Sequence, residues 1–90
     1  MTNTATVNVN HHHLRVADSS KYGLDPVSLA LLDSIPAVKD ATVGLTMALL
    51  AFPEARRVTV PLPEVAVLAL NDFDAGRPVE PFSFTLSYQR

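Results

Sequence analysis

Cysteine is absent from this chain of 90 residues, and charge is scarce. The missing thiols exclude a disulfide framework, a thiolate zinc site and a cysteine nucleophile, and their absence fits a reducing cytoplasm, where we expect the protein to reside. Charged residues make up 18% of the chain, against about 25% in an ordinary soluble domain. Because the formal charge is only −2, we expect neither nucleic acid nor membrane as a partner.

Apolar residues, by contrast, make up 48% of the sequence. Ninety residues are enough for one domain, spanning residues 1–90, and a chain of this size buries only about 60 to 65% of its unfolded surface. A monomer would therefore leave apolar patches in water. We expect it to cover them by self-association or by binding a protein partner.

The strongest helix signal begins at Asp25, which has the right side chain to cap a helix starting at Pro26. One stripe is apolar at helical spacing and contains Val27, Leu31, Leu32 and Ile35. Ser28 and Asp33 are expected on the wetter side of this helix, and Pro36 is expected to end it.

A second helix is predicted between Val38 and Pro53. Its expected face consists of Val38, Ala41, Leu45, Leu49 and Phe52. The 13 residues from Ala41 to Pro53 carry no charge, but this run is shorter than the roughly 20 residues that cross a bilayer, so it predicts a core helix. Gly44 in its middle suggests that another backbone packs close to it.

The remaining segments look like strands. Residues Ala5–Val16 predict a strand with a bulge or bend at His11–His13, because the apolar positions change parity there. Arg57–Val60 predicts an edge strand, since Pro61 follows it. The apolar run Val65–Leu70 fits a central strand, which we prefer, or a short helix starting at Pro63. A turn is predicted over residues 71–76.

The last strand has the clearest alternation in the sequence. Phe82, Phe84, Leu86 and Tyr88 are expected on one face, and Ser83, Thr85, Ser87 and Gln89 on the other. It carries no charge before Arg90, so an exposed edge would invite pairing with another chain. We therefore predict an interface formed by Phe84, Leu86, Tyr88, Ser83, Thr85 and Ser87.

Together these segments predict an α+β fold in the order β-α-α-β-β-β. We expect a small, mostly antiparallel sheet of three to four strands, with the two helices packed as a pair on one face. The face that carries Phe82, Phe84, Leu86 and Tyr88 is expected to lie under the helices.

His11, His12 and His13 are the residues with the most chemical potential. In a regular strand His11 and His13 would project to the same side and could share a divalent transition metal. Asp18, Asp25 or a second copy of the chain would have to supply a further ligand. Polar surface histidines are the simpler interpretation, and no other cofactor is indicated.

The function favoured by these features is a small non-enzymatic interaction module. It would act through self-assembly as a homo-oligomer, or by docking on a larger protein as an adaptor, an inhibitor or an assembly subunit. The alternative is a metal- or small-molecule-binding protein, or an oligomeric enzyme, with a site around His11–His13. In that case His13 would be the base and Tyr22 would orient it, but no nucleophile turn or phosphate loop accompanies them.

Overall fold

The computed structural model describes residues 2–17 and 24–89. Within these residues the chain forms five strands and three helices. In chain order they are β1 (Thr2–Val9), α1 (His11–Val16), α2 (Pro26–Ser34), β2 (Asp40–Val43), β3 (Met47–Ala51), β4 (Arg57–Pro61), α3 (Glu64–Asp74) and β5 (Phe82–Gln89). The predicted α+β class is confirmed, with two antiparallel sheets instead of one.

The first sheet joins the two ends of the chain. β1 and β5 pair antiparallel along their whole length, from Thr2 opposite Gln89 to Val9 opposite Phe82. The predicted alternation of β5 is confirmed, and the sheet buries the apolar side chains of both strands: Ala5, Val7, Val9, Phe84, Leu86 and Tyr88. The opposite face is polar and exposed. One side of this sheet therefore supplies about a third of the core.

The second sheet has the strand order β2-β3-β4. Two of its strands fall where a second helix was predicted, so that prediction is wrong. Side chains alternate with a period of two: Ala41, Ala48 and Leu50 are buried, whereas Leu49 is exposed. Gly44 lies in the β2–β3 connection, where its amide donates to the carbonyl of Met47 at 2.8 Å. It follows the last residue of β2, and a Cβ added there would lie 3.8 Å from the Met47 carbonyl oxygen, so the expected close backbone approach is not found.

Helix α2 was predicted correctly and lies at the centre of the structure, in contact with β1, β2, α1 and α3. Asp25 caps it, accepting from the amide of Ser28 at 2.9 Å and from its hydroxyl at 2.5 Å. Ser28 was expected on the wetter side of the helix but is fully buried. Its hydroxyl tolerates burial because it donates a hydrogen bond to Asp25. Pro36 follows the helix end, as predicted.

The run Val65–Leu70 belongs to helix α3, so the preferred strand is wrong and the alternative helix is right. Ala66 and Leu70, four positions apart, are the buried residues of α3. The helix extends through Asn71–Asp74, which had been predicted as part of a turn. The turn itself is confined to Ala75 and Gly76, where Gly76 adopts a φ of 76°.

β4 is an edge strand, as predicted, and Pro61 is its last residue. It also contacts β5, and the rings of Phe52 and Tyr88 stack between the two sheets with centroids 6.0 Å apart. The two sheets and α2 thus share one hydrophobic core. No helix of the described residues is long and apolar enough to cross a membrane.

Candidate functional site

The three histidines lie in helix α1 and not in a bulged strand. Asn10 caps this helix, because its side-chain oxygen accepts from the amide of His13 at 3.2 Å. In return the Nδ1 atom of His13 accepts from the amide of Asn10 at 3.1 Å. This reciprocal pair is a capping box, which ends the strand at Val9 and starts a helix at His11.

His13 lies at the edge of the hydrophobic core and links α1 to α2. Its side chain is only 3% exposed, and its Nε2 atom lies 2.6 Å from Oδ2 of Asp33 in α2. Since Nδ1 accepts from a backbone amide, the ring proton is on Nε2, which donates to Asp33. Both ring nitrogens of His13 are therefore occupied within the chain.

The predicted metal pair is not brought together. Along a helix, a separation of two residues corresponds to a rotation of about 200°, so His11 and His13 point in nearly opposite directions. His11 is exposed and His13 is buried. Among residues 2–17 and 24–89, no group of three or more histidine or acidic side chains could hold a metal ion. Asp25 caps α2, while Asp18 and Tyr22 lie outside the described residues.

The predicted interface on β5 is divided between the core and the surface. Phe84, Leu86 and Tyr88 are buried within the chain itself. Ser83, Thr85 and Ser87 are exposed, and the hydroxyl of Ser83 donates to the side-chain oxygen of Asn8 at 2.6 Å. The surface members of the predicted set thus form a polar face, without the apolar side chains that usually anchor an interface.

A different apolar surface lies on the outer side of the β2-β3-β4 sheet. We name it the outer sheet face, and it consists of Asp40, Thr42, Met47, Leu49, Ala51, Arg57, Thr59 and Pro61. The exposed fractions of Met47 and Leu49 are 38% and 36%, and Leu45, in the hairpin connection beside the face, is 87% exposed. The other residues of the face are exposed or partly buried, and none of them is buried.

The charges of the outer sheet face lie at one end of it. Asp40 and Arg57 are both opposite Ala51, one on each neighbouring strand, so their backbones are roughly 10 Å apart. The Oδ1 atom of Asp40 accepts from the amide of Ala41 at 2.9 Å. Within the described ranges neither side chain is part of an ion pair. A shallow recess of about 240 Å³ lies at this end, next to Leu49.

Helix α3 carries a second, smaller apolar surface. Val65 and Leu68, three positions apart, are 45% and 54% exposed. Neighbouring positions on a helix surface form one patch, but this patch has two residues, whereas the outer sheet face has eight residues on three adjacent strands. The outer sheet face is therefore the stronger candidate.

Comparison of the chain with protein-family models, curated proteins and solved structures found no match. Sequence reasoning missed the outer sheet face because Leu45 and Leu49 were assigned to a buried helical face. No signal in the sequence would have revealed it, because Met47–Ala51 is apolar at every position and only the structure shows that burial alternates along it.

Proposed function

We propose that this protein is a small, non-enzymatic interaction module that acts by self-assembly or by docking on a larger protein. The observation that carries this proposal is the outer sheet face, on which Met47 and Leu49 are exposed on a regular sheet surface. Exposed apolar residues that are clustered and rimmed by polar ones are typical of protein-interaction sites, whereas singly scattered ones are not. The lack of cysteine supports a cytoplasmic location.

The composition of the face also supports a protein partner. Its centre is apolar, with threonines and one charge of each sign at its border. An apolar centre with a polar rim is the usual anatomy of a protein–protein interface. A catalytic role lacks comparable support, because His13 uses both ring nitrogens for contacts within the chain.

Sedimentation of the purified protein, from about 1 μM to about 1 mM, tests self-assembly over the affinity range of weak to moderate interfaces. We expect the mean mass to rise above the monomer mass of 9.7 kDa with concentration. Leu49→Asp is expected to suppress this rise. The matched control is Thr85→Asp, which places the same charge on the polar face of β5.

Docking on a larger protein is tested by a second experiment, which uses photo-crosslinking. A photo-crosslinking amino acid is placed at Leu49 or at Thr85 of the full chain in cells. The proposal predicts a reproducible product of one mass from position 49 that is absent from position 85. A monomer at every concentration, together with no specific product from position 49, would overturn the proposed function.

A further inference from the structure

The cross-strand register of the outer sheet face produces rows that are nearly symmetric about β3. In the first row Ala51 lies between Asp40 and Arg57. In the second row Leu49 lies between two threonines, Thr42 and Thr59. The central strand is apolar in both rows, and the flanking positions are either identical or opposite in charge.

This pattern is complementary to itself under one symmetry operation. When two copies meet face to face, the two-fold axis lies in the plane between the sheets. An axis parallel to β3 exchanges the positions of β2 and β4. Leu49 then meets Leu49 of the second copy, and Asp40 meets Arg57 of the second copy at the same level.

The other in-plane axis, perpendicular to β3, gives no such match. It exchanges the two ends of each strand, so Arg57 would face the Pro61 end of β4 in the second copy. Both charges would then lose water without gaining a partner, which costs free energy. The charges therefore select the axis that is parallel to β3.

We propose that the occupant of the outer sheet face is a second copy of this chain, in a two-fold dimer with two Asp40–Arg57 pairs across the interface. This inference rests on the proposed function and names its partner. Aligned sheets cross at about 30°, which tilts the axis about 15° from β3 and stays within the reach of an arginine side chain.

The small size of the face indicates a weak dimer. Three strands of about five residues cover roughly 14 by 17 Å, below the roughly 800 Å² per partner that stable complexes bury. The dimer is accordingly a weak one, with a dissociation constant in the micromolar range or above.

Charge reversal tests this arrangement. Asp40→Arg places two like charges opposite each other twice per dimer, and so does Arg57→Asp. Each single variant is expected to dimerise about tenfold more weakly than the unmodified protein, since two attractive pairs become repulsive. Circular dichroism first verifies that both variants are folded. Asp40→Lys and Arg57→Glu replace them if either is not.

The decisive measurement mixes the two single variants. In a mixed dimer the acidic pair of one copy faces the basic pair of the other, so heterodimers form at least as tightly as the unmodified dimer. Native mass spectrometry separates the species by mass. The double variant with both reversals is expected to dimerise like the unmodified protein.

Two results would overturn the dimer proposal. One is an unmodified protein that stays monomeric at about 1 mM, far above the dissociation constants typical of specific complexes. The other is a pair of single variants that do not associate preferentially with each other. If the unmodified protein self-associates or crosslinks through position 49 in that case, the proposed function stands and only the two-fold geometry fails.

Discussion

His13 and Asp33 connect the first two helices of the chain through a side-chain contact of 2.6 Å. The histidine is buried and the side chain of Asp33 is 66% exposed, so the pair lies at the boundary between core and solvent. α1 has only six residues, too few for a helix that is stable by itself. This contact holds α1 against α2, and the capping box at Asn10 stabilises the first turn of α1.

The first prediction concerns this contact. His13→Ala is expected to lower the free energy of unfolding by about 1 to 3 kcal/mol, because it removes the contact with Asp33 and one half of the capping box. Urea unfolding measures the change. The matched control is His11→Ala, where an exposed histidine of the same helix is lost with little effect. Equal effects of the two variants would contradict the role assigned to His13.

Metal addition gives the second prediction. Because His13 has no free ring nitrogen and His11 points to the other side of α1, zinc is not expected to stabilise the folded protein. The melting temperature of tag-free protein should be unchanged by zinc. A rise that is abolished by both His11→Ala and His13→Ala would contradict this and restore the predicted metal site.

The third prediction uses the start of α2. Asp25→Ala is expected to cost about 2 to 3 kcal/mol, because it removes a helix cap and leaves the buried hydroxyl of Ser28 without its acceptor. The double variant Asp25→Ala/Ser28→Ala should cost less than the sum of the two single variants, since the orphaned hydroxyl is gone. Chemical denaturation of the four proteins forms a double-mutant cycle. Strict additivity would contradict the coupling.

Short-range sequence patterns predicted individual elements correctly where each pattern was typical of one structure only. The Asp25–Pro26 start predicted α2 correctly, and strict alternation predicted β5 correctly, because in each case one pattern had one structural solution. The run from Ala41 to Pro53 had two solutions. Its apolar residues match a helical face, but the continuous apolar run Met47–Phe52 fits a strand as well, and Gly44 lies at the point where the hairpin turns.

The outer sheet face could not be predicted once residues 38–52 were assigned to a helix. Leu49 belongs to the predicted helical core when residues 38–52 are helical, and to the solvent side when they are strands. The expected positions of the histidines were wrong for the same kind of reason. A strand would place the side chains of His11 and His13 on one side, whereas a helix places them on different sides. A side chain's exposure follows from its element, so two wrong elements, one at each site, changed the expected exposure of Leu49 and of the histidines.

Leu68 and Leu70 give the last prediction, because they decide between the two interpretations of the run Val65–Leu70. In a strand the two leucines would share a face, whereas in helix α3 Leu70 is 7% exposed and Leu68 is 54% exposed. Leu70→Ala is therefore expected to cost about 2 to 4 kcal/mol of unfolding free energy, and Leu68→Ala less than about 1 kcal/mol. Thermal and urea unfolding of the two variants provide the comparison. Similar large losses for both would mean that the segment is a buried strand, since a helix of this burial pattern leaves Leu68 in water.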